Sequence, residues 1–94
     1  MPSVTRKGDK DSGHGGFTPT ELKSGSPTVY VNGVPCGRKS DPYFDHTDGE
    51  STHSRNISSG SSTVFINGLP IARVGDDVSC GSTVAQGSPN VYAN

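Results

Sequence analysis

Three histidines and one cysteine hold the metal-ligating chemistry this chain can offer: His14, His46, His53 and Cys80. His14 lies in Asp-Ser-Gly-His-Gly-Gly, His46 and His53 lie in the long stretch from Tyr43 to Ser59, and Cys80 lies in Asp77-Val78-Ser79-Cys80-Gly81. His14 and His46 each follow an arginine (Arg6 and Arg38) by eight residues, and Cys80 follows Arg73 by seven. Three imidazoles and a thiolate form a Cys-His₃ donor set suited to tetrahedral zinc. Spacing alone leaves a second reading open. No tight CxxC or HxxxH pair is present, and a single histidine in a polar loop is ordinarily just solvated. What favours a site is that all four fall in irregular stretches, two of them at equivalent positions. The other cysteine, Cys36, aligns with Val4 and Ile71 and reads as a small buried apolar residue rather than a ligand. One disulfide is possible in principle, and so thin a cysteine count fits a reducing cytoplasm.

Those four residues need a frame, and the frame is a repeat. Residues 25–35 read GSPTVYVNGVP, residues 60–70 read GSSTVFINGLP, and residues 87–94 read GSPNVYAN. Each copy leads from a Gly-Ser turn into a short apolar run, which is a β signal. Asn32-Gly33 and Asn67-Gly68 supply the two positive-φ residues of a type I′ hairpin turn. The prolines that follow, Pro35 and Pro70, mark positions that donate no ladder hydrogen bond.

The third copy stops at Asn94, inside its turn, and its missing half is at the start of the chain. Val4-Thr5-Arg6-Lys7-Gly8-Asp9, Cys36-Gly37-Arg38-Lys39-Ser40-Asp41 and Ile71-Ala72-Arg73-Val74-Gly75-Asp76 align, each with Arg followed three later by Asp. Arg6 to Arg38 is 32 residues and Arg38 to Arg73 is 35, while the step from Arg73 through the termini to Arg6 is 27. The Gly-Ser copies give the same 35 and 27. The chain therefore reads as a circle of three hairpin repeats cut within one turn, closed by pairing of the N- and C-terminal strands. A pseudo-three-fold ring of this kind brings the variable loops, with His14, His46, His53 and Cys80, together at one end of the axis. Asp9, Asp41 and Asp76 are expected to fix turns, with Arg6, Arg38 and Arg73 pairing to them. Tyr30, Phe65 and Tyr92 share one repeat position and are expected to share a packing role.

Composition narrows the fold and the function classes. The 94 residues allow one small domain over 1–94. Val, Ile, Leu and Phe number 17, while Gly and Pro number 20, so hardly any stretch can hold a stable helix. A helical bundle, a Rossmann-type enzyme and a helical membrane span are excluded; a turn-rich all-β domain needing a staple remains. A net charge of −1 without Lys/Arg clusters argues against nucleic acid as a partner. No apolar segment follows the basic residues at the N-terminus, so no cleaved leader is expected. GxSxG, P-loop and HExxH motifs are absent, which leaves no standard catalytic signal. Asn56-Ile57-Ser58 is a formal glycosylation acceptor without a secretory context.

The TVxVNGxPxxRxxD repeats, the early SGHGG and the late SCGSTVAxGSPNVYxN resemble PAAR-repeat proteins, and the resemblance covers essentially the whole chain. Pro70-Ile71-Ala72-Arg73 departs from Pro-Ala-Ala-Arg by one residue, and Pro35-Cys36-Gly37-Arg38 by two. The resemblance implies a small cone of β-hairpins with zinc at its apex, bound by His14, His46, His53 and Cys80. It implies a non-enzymatic, mechanical function: a sharp tip on the trimeric β-helical spike of a contractile injection machine, a type VI secretion system or a phage tail. Its partners would be one spike trimer per tip, effector proteins, and the target membrane on injection. Such a protein is made in the bacterial cytoplasm and assembled at the spike tip. Two alternatives stand beside this: a zinc-containing carbohydrate- or receptor-binding module, and a small zinc hydrolase, which a closed four-ligand site disfavours. No fused toxin domain is expected, since the cone uses the whole chain.

Overall fold

The computed structural model of the chain describes residues 1–47, 49 and 52–94, and of His53 the backbone alone. These residues form no helix. Six strands make three antiparallel pairs: β1 (Tyr30–Val31) with β2 (Val34–Pro35), β3 (Pro42–Thr47) with β4 (Thr52–Asn56), and β5 (Phe65–Ile66) with β6 (Leu69–Pro70). The β1–β2 and β5–β6 pairs are closed by the two Asn-Gly turns, with φ of 56° at Asn32 and 54° at Asn67. The third repeat is assembled from the two ends of the chain. Ser3 bridges Tyr92, the Val4 amide donates to Val91 O at 3.0 Å, and the Ala93 amide donates to Pro2 O at 3.1 Å.

The return strands meet in a ring of backbone hydrogen bonds. Thr5 N donates to Ala72 O (3.1 Å), Ala72 N to Gly37 O (3.0 Å), and Gly37 N to Thr5 O (2.9 Å). The ring uses one residue from each repeat, which places the pseudo-three-fold axis through Thr5, Gly37 and Ala72. Chains this close leave no room for a side chain at every station. A Cβ on Gly37 would stand 2.7 Å from Thr5 Cγ2 and 3.1 Å from Thr5 O.

Each return strand then leaves the ring through the same clasp. Asp9, Asp41 and Asp76 donate their amides to the carbonyls of Arg6, Arg38 and Arg73, at 3.0 Å in all three. The residue before each Asp has positive φ (Gly8 92°, Ser40 82°, Gly75 97°), as a type II turn requires. The Asp carboxylate accepts from its arginine's backbone amide and Nε and closes an ion pair of 2.9–3.0 Å. The expected turn-fixing role of these pairs holds.

The buried core divides into two layers. Val4, Val31, Cys36, Ile71 and Ala93 form one with the hairpin strands, against which Val29, Val64, Ile66 and Val91 pack. Leu22, Tyr43, Ile57, Ala72, Val78 and Val84 form the other, and Cys80 packs on this layer. The molecule measures 37 × 23 × 22 Å, and near-equal short axes are what three-fold packing about a long axis produces.

Two expectations need correction. The stretch from Tyr43 to Ser59, read as an irregular connection, contains β4 and all of β3 but Pro42, the longest strand pair among the described residues. Tyr30, Phe65 and Tyr92 do not share a core packing role: they are 57, 55 and 51% exposed. The flanking Val29 and Val31, Val64 and Ile66, and Val91 and Ala93 take the inner face, so strand alternation turns each aromatic outward.

Candidate metal centre

A tight turn presents the first donor. His14 and Phe17 exchange backbone hydrogen bonds of 3.1 and 2.8 Å. Gly13, at φ 67°, lets the chain enter this turn, because a Cβ there would meet Phe17 O at 2.6 Å. The second donor is aimed by a bulge. Pro42 and Tyr43 pair with Asn56 and Arg55, but His46 and Thr47 pair with His53 and Thr52, so Phe44 and Asp45 together face one residue. In a regular strand Tyr43 and His46, three apart, would point to opposite faces. The extra residue turns both inward, and both are buried to 2% exposure. The third donor, Cys80, lies in the short turn where Val78 N donates to Ser82 O at 2.9 Å.

These elements converge. The ligand atoms of His14, His46 and Cys80 all lie within 4.8 Å of one another. The two imidazoles and the Phe17 ring form a triangle with centroid separations of 4.8, 4.9 and 4.7 Å. His46 Nδ1 lies 3.2 Å from Thr18 O, a carbonyl that can only accept, so the proton sits on Nδ1 and Nε2 faces the ligand role. Burial pushes the Cys80 thiol up, but hydrogen bonds from Ser82 and Arg55 outweigh it and hold the thiol below its ordinary value. The trend favours thiolate, the form that binds metal.

The donor set could hold a metal ion. Zinc–nitrogen and zinc–sulfur bonds of about 2.0–2.3 Å put tetrahedral ligand atoms roughly 3.3–3.8 Å apart, so the three donors need to close by only about 1 Å. The His53 side chain lies outside the described residues; its backbone pairs with His46 across the hairpin. Cys36 does not join the cluster. It is fully buried in the other core layer, where burial pushes its thiol up to about 11.

Several residues around the site escaped the sequence reading. Phe17 supports both imidazoles, Thr18 fixes the His46 tautomer, and Asp11, Arg55 and Ser82 form a polar cluster against Cys80. The available signal was adjacency, since each lies within four residues of an expected ligand. No pocket forms among the described residues, and no helix among them is long and apolar enough to cross a membrane.

The family model for the PAAR motif matches residues 7–86. No curated protein matches the chain at a significant level.

Proposed function

Because the chain belongs to the PAAR-motif family, which forms the spike tips of contractile injection systems, we propose that it is a zinc-stabilised point that caps a trimeric β-helical spike and helps pierce the target envelope. The observation that carries this reading is the single-chain three-fold ring with its metal-capable cluster, whose Cys80 packs on the layer of Leu22, Tyr43 and Val78. One chain with three similar sides can meet three identical subunits without breaking their symmetry. At the other layer the three repeats turn Tyr30, Phe65 and Tyr92 outward, one per repeat. A large apolar residue repeated three times around an axis is suited to a homotrimer, and aromatic side chains are favoured interface anchors.

Zinc held by His14, His46, His53 and Cys80 would tie together the segments that meet beside the core layer of Leu22, Tyr43, Ile57 and Val78. Its role is to keep the point from splaying under load. The protein is made in the cytoplasm and assembled onto the spike of a type VI secretion system or a phage tail. A sugar-binding module would draw on the same exposed aromatics, but three-fold repetition spreads them over three sides rather than gathering them on one face.

Metal analysis of the purified protein should find one zinc per chain. Cys80→Ser should lose most of it and Cys36→Ser should keep it, and chelation should lower Tm. If Cys36→Ser empties the site while Cys80→Ser leaves it full, the ligand assignment is wrong.

A further inference from the structure

Next to the three donors lies a fully buried ion pair that the spike-tip reading does not use. Arg55 on β4 and Asp11 have side chains at 0% exposure. Asp11 Oδ2 accepts from Arg55 Nη1 at 2.6 Å and Asp11 Oδ1 from Nη2 at 3.2 Å. The remaining guanidinium donors are also used. Nη2 donates to the Thr20 hydroxyl, Nε to Phe44 O at 3.3 Å, and Nη1 to Cys80 Sγ at 3.6 Å. That accounts for all five N–H groups of the fork. Asp11 in turn accepts from the Thr20 amide (2.9 Å) and the Ser82 hydroxyl (2.6 Å), and Ser82 Oγ lies 3.4 Å from Cys80 Sγ. The Tyr43 ring packs against the guanidinium at 5.3 Å.

The membership of this cluster follows the ligands. Asp11 precedes His14 by three residues, Arg55 follows His53 by two, and Ser82 follows Cys80 by two. The stretches of His14 and Cys80 thus each send one side chain into the cluster, and β4, paired with the strand that carries His46, sends the third. A buried ion pair is a poor way to gain stability alone, because desolvation consumes most of its Coulombic energy. An apolar pair would pack as well but could not donate a hydrogen bond to sulfur. A lysine would keep the charge but lack the planar fork that reaches Asp11, Thr20, Phe44 and Cys80 together.

We propose that Arg55, locked by Asp11, is a positioning residue for the metal centre: it holds Cys80 Sγ against the imidazoles of His14 and His46 before a metal arrives. The inference rests on the zinc reading of that site. With metal bound, the same N–H···S contact draws electron density from the thiolate and alters its donation to the ion.

Cobalt(II) in place of zinc reads both effects, since a thiolate–cobalt site shows a sulfur-to-metal charge-transfer band. The full chain is titrated with Co²⁺, and with Zn²⁺ against a chromophoric chelator. Arg55→Lys and the double variant Arg55→Met/Asp11→Asn are compared with wild type. The double variant leaves no unpaired buried charge and keeps an acceptor for Thr20 and Ser82. Both should bind metal about 10–100-fold more weakly and shift the charge-transfer band, while Arg6→Lys, at an outer clasp, should change neither. A folded double variant with wild-type affinity and an unshifted band overturns the proposal. So does failure of both variants to fold with metal present, which makes the pair purely structural. If wild type takes up neither ion, the zinc reading itself has failed; if wild type binds and the variants match it, only the positioning role falls.

Discussion

Gly37 offers the sharpest test of the three-fold axis. Its backbone φ is not in the left-handed region, so alanine is permitted conformationally, and only space opposes it. The added Cβ would stand 2.7 Å from Thr5 Cγ2, 3.0 Å from Leu22 Cδ2 and 3.1 Å from Thr5 O, all inside normal contact. Thr5 is fully buried and β-branched, so its methyl cannot swing away. Overpacking of this kind costs about 1–3 kcal/mol, offset by about 0.4–1 kcal/mol from the stiffer unfolded chain. Gly37→Ala should therefore destabilise by about 1–2 kcal/mol net, with each kcal/mol lowering Tm by roughly 4–8 °C in a domain of this size. Thr5→Ser removes the offending methyl and keeps the hydroxyl that donates to Gln86 O at 2.8 Å. Alone it should cost about 0.5–1.5 kcal/mol, as deletion of a buried methyl does. Combined with Gly37→Ala it should relieve the clash, giving a favourable coupling of about 1 kcal/mol in a double-mutant cycle. Denaturant unfolding of the four proteins at fixed zinc measures this. Additive effects, or a Gly37→Ala protein as stable as wild type, would falsify the packed axis.

Two further substitutions probe the frame and the core. Ser40 holds φ 82° where the equivalent clasps carry Gly8 and Gly75; Ser40→Gly should raise stability by about 0.5–1 kcal/mol, and a lower Tm would show that the serine contributes something the clasp geometry does not require. Tyr43 is buried with its hydroxyl unpartnered among the described residues; since an unsatisfied buried hydroxyl costs about 1–3 kcal/mol, Tyr43→Phe should be at least as stable as wild type, and a loss above about 1 kcal/mol by calorimetry would reveal a partner.

The hairpins and their closure were legible because local chemistry determines them. Asn-Gly turns demand left-handed backbone, and the equal 27-residue step through the termini leaves little choice but a ring. The Arg-Asp clasps were visible for the same reason, being contacts only three residues apart. The direction of Tyr30, Phe65 and Tyr92 was misread because Val-Tyr-Val is apolar on both strand faces, so alternation alone cannot say which face is inside. The bulge at Phe44 and Asp45 was hidden because register is set by the partner strand. Asp11 and Arg55 lie 44 residues apart in polar stretches, and no periodicity marks a pair that only tertiary packing brings together.

Stoichiometry with the spike tests the central claim most directly. Three similar patches about the axis, each meeting one subunit, require a complex of one tip to three spike chains. The contact should be largely apolar and backbone-paired, so its affinity should change little as salt rises. Native mass measurement of the chain mixed with a trimeric β-helical spike from a contractile machine should therefore show one tip per trimer, persisting at high salt. Three tips per trimer, or no complex at all, would contradict it.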